Sequence, residues 1–286
     1  MNEAPPAVFK YLPCSRAQDV LSKLLIRFSQ VSVLNDAREL RPPLSGIAPR
    51  SRIEQLLSEK FGPRVLQIVE NASKQFPSVD IQTIGRIAEN LEKQLIPRGA
   101  KQVEQRFPVT VRTIYEKLDA NMGILSLTET PTNVLMWSHY AEGGRGVLIQ
   151  FKSSHPWFWC QRSKDDEFHH LCRVKYPSSR LPKFLFDTVG EELLYTKDKE
   201  WEYEREWRII RSFSDAAVHL GPDSNGKDVH LFAIPPDCVS GVAFGYRASP
   251  QAVEKLHNII AANPALSHVH FVRAQQNQDG SIQLFS

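Results

Sequence analysis

Apolar and polar positions alternate over residues 7–12 (AVFKYL), and that period of two predicts a short strand. Residues 15–28 change period: Val20, Leu21, Leu24, Leu25 and Phe28 form a helical stripe, with Ser15 as its N-cap. VSVL at 31–34 reads as a second strand, closed by NDARE, where Asn and Asp can turn the chain by bonding their own backbone. The proline-rich LRPPLSGIAPR then breaks regular structure.

From 50 to 118 the pattern is helical. Ile81, Ile84, Ala88, Leu91 and Leu95 align as one stripe that is expected to be buried, and Pro63, Pro77, Pro97 and Pro108 divide the segment into three or four helices. From 123 onward GILSLT, GVLIQF, LCRVKY, EWRIIR, VHLFAI, VSGVAFG and HVHFVR read as strands, with helical patterns near 132–142, 183–196 and 249–262 between some of them. The expected fold is α+β: a single domain over residues 1–286, whose mixed sheet is completed by the N-terminal strand, with a helical insertion at 50–118.

Composition narrows the function classes. Of 286 residues, 42% are hydrophobic and 23% charged, which suits a soluble globular chain. The net charge of +3 is too mild to announce a nucleic-acid binder. Residues 50–119 hold 12 basic against 9 acidic side chains and so carry the whole excess, which reads as a solvated helical face. Cys14, Cys160, Cys172 and Cys238 form no CxxC pair, the N-terminus has no signal-peptide pattern, and no window approaches a membrane span. A soluble, cytoplasmic protein without a membrane partner is expected. Cys160, His169, His170 and Cys172 match no usual zinc spacing, so no metal is expected. There is no G-x-S-x-G elbow, and EGGRG lacks the residues of a phosphate loop.

Two stretches carry the candidate chemistry. Read as one strand, WEYEREWRIIR puts Trp201, Tyr203, Arg205, Trp207 and Ile209 on one face and Glu202, Glu204, Glu206 and Arg208 on the other. Carboxylates in a row need cations or a ligand. The face is therefore either a salt-bridged surface or a cleft wall backed by rigid aromatic packing. TNVLMWSHYA reads as a short helix capped by Thr132 and stopped by Gly143, Gly144 and Gly146. Trp137, His139 and Tyr140 can serve the core or a ligand, with one aromatic expected on each side.

The order FKY, LND, ILSLTE, N-x-LMWSHYA, GVLIQF and K-x-x-x-W-x-YE-x-EWRII resembles a bacterial family known only as a domain of unknown function, number 2971. The likeness covers most of the chain outside the insertion, with departures at NDARE and AEGGRG. More loosely, the layout is similar to the ADP-ribosyltransferases and their fold: an early basic residue, an aromatic middle segment, and a late strand with Glu-x-Glu. That resemblance implies NAD as substrate and transfer of ADP-ribose to a protein or nucleic-acid acceptor, in a setting such as toxin action or phage defence. It implies Glu206 as the catalytic carboxylate, with Glu204 orienting or on the acceptor side. Lys10 and Tyr11 would contact NAD, Trp137 or Tyr140 would stack on nicotinamide, and Asn35, His139 and Arg208 would complete the binding set. The rival is a non-enzymatic nucleotide sensor or nucleic-acid-binding protein.

Overall fold

The computed structural model describes residues 4–35, 43–166, 168–179, 181–188 and 190–285. The chain divides into two compact units, one of residues 1–41, 117–180 and 190–286, the other of residues 42–116 and 181–189. In chain order the elements begin with β1 (Ala7–Leu12), α1 (Cys14–Lys23), β2 (Leu25–Phe28), β3 (Leu44–Gly46), α2 (Arg50–Gln75) and α3 (Ile81–Asn121). Then come β4 (Met122–Thr128), α4 (Val134–Tyr140), β5 (Val147–Lys152), β6 (Cys172–Arg173), β7 (Lys183–Phe184) and α5 (Gly190–Leu194). The last are β8 (Glu206–Ser212), β9 (Val218–Pro222), β10 (Asp228–Ala233), β11 (Val239–Phe244), α6 (Pro250–Ala261), β12 (His270–Gln276) and β13 (Ile282–Phe285).

The first unit is built on an eight-stranded mixed sheet in the order β13-β12-β11-β5-β1-β4-β8-β6, with β11 and β12 parallel. Alternation sorts its side chains onto two faces. One face, with Val8, Leu125, Leu127, Ile149, Phe151, Trp207 and Ile209, packs in the main core with α1 and α6 residues such as Leu21 and Leu256. The other, with Phe9, Tyr11 and Leu148, is covered by Met136, Trp137 and Ala141 from α4 and the residue after it. A smaller sheet, β2-β10-β9, joins through a bridge in which Ser29 and Ile124 exchange both backbone hydrogen bonds at 2.9 Å.

The N-terminal strand lies where the alternating pattern predicts, and it brings the FKY and EWRII segments together: Phe9 opposes Thr128 on β4, which in turn opposes Glu206 on β8. Other expectations need correction. The helix over 15–28 stops at Lys23, because Leu24 turns left-handed (φ 51°) and sends Leu25–Phe28 into β2, where sheet pairing outweighs the helical stripe. VSVL is a 3-10 turn at Val31–Val33 instead of a strand. LCRVKY contributes strand only at Cys172–Arg173, and 183–196 holds β7, a 3-10 turn and the short α5.

The second unit pairs β3 with β7 in parallel and has a small core of Ala48, Ile53 and Ala100, flanked by Leu57 and Val103. It has two long helices where three or four are expected. Only Pro77 falls in a break; Pro63 lies inside α2, and Pro97 and Pro108 inside α3. The predicted stripe is not buried: Ile81, Leu91 and Leu95 are each more than half exposed. Periodicity reports that a helix has a face, and says nothing of whether another element covers it.

Two substitutions separate these environments. Leu91→Asp is expected to leave the melting temperature essentially unchanged, as for exposed positions, whose effects stay within about 0.5 kcal/mol. Ile149→Ala in the main core should cost about 2–5 kcal/mol. Thermal melting of both variants checks the contrast, and a large loss in Leu91→Asp would mean that the stripe is covered.

Candidate functional site

The site begins where the large sheet opens. β1 pairs with β5 at six positions, from Ala7↔Lys152 to Leu12↔Val147, but meets β4 in register at Phe9↔Thr128. Beyond that point Lys10 reaches across and its Nζ donates to the Ser126 carbonyl at 2.8 Å, while the Tyr11 hydroxyl donates to the Thr130 carbonyl at 3.0 Å. A cavity of about 170 Å³ occupies this opening. Lys10, Tyr11, Asn35, Tyr140, Glu204 and Glu206 all line it, together with Ser126, Thr128 and Lys197. Six of the nine residues anticipated from sequence are therefore gathered in one place.

The two carboxylates arrive by a route that a continuous strand would not give. Lys199–Glu204 is a 3-10 segment, Arg205 is left-handed (φ 43°, ψ 52°), and β8 starts at Glu206. Arg205 is exposed and reaches toward Glu129, the carboxylate that also accepts from the Trp207 indole N–H, while Trp201 and Tyr203 precede the strand. Glu204 and Glu206 are each buried and share one cation. Lys197 Nζ lies 2.6 Å from Glu204 Oε2 and 3.4 Å from Glu206 Oε2, and sits 4.6 Å from the centre of the Trp201 ring.

Each carboxylate has further partners. Tyr140 donates its hydroxyl to Glu204 Oε1 at 2.5 Å and itself accepts from the Asn35 amide. Thr128 Oγ1 donates to the Glu204 carbonyl at 2.6 Å. Glu206 takes a two-pronged grip from Arg208, Nε to Oε1 at 2.6 Å and an amino nitrogen to Oε2 at 2.8 Å, and its backbone N–H donates to the Tyr176 hydroxyl at 2.9 Å. Such a fork fixes the plane of a carboxylate as well as its position.

Burial dominates the electrostatics. It pushes the Glu206 carboxyl above the usual range, and Glu204 adds to this, against the pull of Lys197, the Ser126 hydroxyl and Lys10. Lys197 loses solvation too, yet Glu206 and Glu204 hold it above the ordinary lysine value. Lys10 goes the other way: burial depresses it, and the two carboxylates offset only part of the effect. Tyr140 is raised by burial and by Glu204, so it remains a phenol donating to the carboxylate. With all groups ionised, two anions face three cations.

Three expected ligand contacts stand elsewhere. Arg208 is fully buried and does not line the cavity; it bonds Glu206 and the Leu194 carbonyl and acts by positioning Glu206. Trp137 is fully buried in the core, set edge-on to Tyr11 at 5.1 Å, with its indole N–H on the Pro131 carbonyl. His139 is exposed on α4 and lines an adjoining hollow. Of the two aromatics, Trp137 serves the core and Tyr140 the cavity. The cap of α4 is Asn133, whose side chain accepts from the Leu135 and Met136 N–H groups, and not Thr132. The glycines close the turn because side chains would not fit: Gly144 (φ 82°) lies against the Tyr246 ring, and Gly146 against the Leu12 carbonyl. Of NDARE only Asn35 lies within the described residues.

Lys197 went unrecognised as a site residue, although it is the lysine of the K-x-x-x-W-x-YE motif. Its one signal is its place in that motif, seven residues before Glu204. Tyr176, Ser126 and Thr128 had no comparable signal. Among the described residues no group of three His, Cys, Asp or Glu could hold a metal ion, and no helix is long and apolar enough to cross a membrane.

Removing the shared cation tests the electrostatics. Lys197→Met leaves the carboxylates buried against an apolar side chain, at a cost of about 3–5 kcal/mol near neutral pH. A carboxyl whose folded-state pKa is raised above its unfolded value favours the folded state at low pH and loses that contribution as pH rises. The deficit should therefore shrink as pH falls from 7 toward about 5. Denaturant unfolding across pH checks this; a deficit that grows on acidification contradicts it.

Comparison with known proteins agrees in part with the resemblance drawn from sequence. No curated protein and no solved structure matches the chain. A family model described as "Protein of unknown function (DUF2971)" matches residues 136–209. That stretch contains Tyr140, Lys197, Glu204, Glu206 and Arg208, the carboxylates and most of their partners, and excludes β1. The likeness to the DUF2971 family is thus carried by residues 136–209, about a quarter of the chain.

Proposed function

We propose that the cavity receives the nicotinamide-ribose end of NAD, and that the chain is an ADP-ribosyltransferase-like enzyme with Glu206 as its catalytic carboxylate. The supporting observation is the gathering of Glu204, Glu206 and Lys10 in one cavity, from segments nearly two hundred residues apart. In the reaction the bond from the ribose C1′ to the nicotinamide nitrogen breaks, and its electron pair leaves with neutral nicotinamide. The sugar becomes oxocarbenium-like until a nucleophile on the acceptor attacks C1′ and gives up its proton. A preorganised carboxylate facing that developing positive charge is the kind of group that stabilises it. Arg208 and Lys197 hold Glu206 in place, while Glu204, tied to Tyr140, is placed to orient the ribose or take the acceptor's proton. At about 170 Å³ the cavity suits one ring and its ribose, since whole drug-sized ligands occupy about 300–1,000 Å³.

A second reading, a nucleotide sensor without turnover, draws on the same contacts: both carboxylates already have protein partners, as binding residues held for shape would.

Nicotinamide release from NAD distinguishes the two. Glu206→Gln and Glu204→Gln are expected to lower it by about 100-fold or more, the scale of losing one electrostatic stabiliser, with melting curves recorded to exclude unfolding. Trp137→Phe should retain most of the release. Folded glutamine variants with undiminished release would remove the catalytic assignment, and NAD binding without release by the wild type would favour the sensor.

A further inference from the structure

Beside the carboxylate cavity lies a second hollow of about 470 Å³, which shares Lys10, Tyr11, Ser29 and Tyr140 with it. Its other walls differ in kind. α1 and β2 bring Arg16, Lys23 and Arg27, with Asp19 the acidic neighbour, while β9 and β10 bring Leu220, Val229 and Leu231. Counting Lys10, four cations face one carboxylate, beside an apolar wall. Lys23 pairs with Asp19 at 3.3 Å, but both are more than half exposed, and such pairs hold weakly. Arg27 is anchored to Asp223 at 2.7 Å, and its Nε is buried without a hydrogen-bond partner.

We propose that this hollow binds the diphosphate and base of a nucleotide whose ribose enters the carboxylate cavity; the assignment rests on the NAD reading and extends it. Phosphate oxygens suit guanidinium and ammonium donors. A flat base suits the apolar wall of β9 and β10. Lys10 stands at the boundary, where it faces the carboxylates on one side and the ligand's anionic part on the other. The cavity alone is too small for a dinucleotide, and the hollow supplies the missing room.

The test is calorimetric binding of ADP-ribose, with adenosine as the phosphate-free probe. Wild type should bind ADP-ribose at least about tenfold more tightly than adenosine, a difference that narrows as salt rises. The double variant Arg16→Gln/Lys23→Gln, at exposed positions, should melt as wild type does and lose about tenfold or more in ADP-ribose affinity. Lys255→Gln, a remote exposed change, should lose none. No ADP-ribose binding by wild type, equal affinity for adenosine, or full affinity in the double variant would each overturn the site. The two readings fail separately. Nicotinamide release with an unchanged KM in the double variant removes the hollow and keeps the transferase, whereas charge-dependent ADP-ribose binding without any release keeps the hollow and removes the transferase.

Discussion

One ammonium group holds the site together. Lys197 lies within ion-pair distance of both Glu204 and Glu206, all three nearly without solvent. Two buried carboxylates side by side would repel each other and draw protons. Lys197 between them and Arg208 behind Glu206 offset that repulsion and fix their orientation. The main-chain break at Arg205 follows the same need, since it delivers Glu204 and Glu206 from different elements onto one cation.

The sheet supplies the space. β4 pairs along its length with β8, which carries Glu206 and Arg208, yet meets β1 in register only at Phe9. The resulting gap lets Lys10 reach across to the Ser126 carbonyl. α4 closes one side, with Trp137 fixed in the core so that Tyr140, three residues on, reaches Glu204. A rigid backing for a charged group is what positioned carboxylate chemistry requires.

Much of this was legible in the chain, for specific reasons. β4, β5 and β8 stand out as short apolar-rich runs because the sheet is covered on both faces, and Glu204 and Glu206 stand out as charges among bulky aromatics. Alternation suggests one continuous strand over 201–211 and does not show the break, because the left-handed Arg205 is held by tertiary contacts such as the Glu129 N–H on its carbonyl. Leu24 breaks the α1 pattern in the same way: a helical stripe continues in the sequence while the backbone turns into a sheet. The stripe of α3 misled in the opposite sense, since Leu91 and Leu95 have helical spacing but nothing covering them among the described residues. Lys197 was hidden because a lysine among Asp198, Lys199 and Glu200 looks like solvated surface until the fold buries it.

The most direct measurement is a crystal structure of the wild-type chain with ADP-ribose. The ribose is expected in the opening between β1 and β4, with a Glu206 or Glu204 oxygen about 2.6–3.2 Å from a ribose hydroxyl and Lys197 still between the two carboxylates. ADP-ribose bound elsewhere with that opening empty of it, or a carboxylate pair that has separated from Lys197, would contradict it.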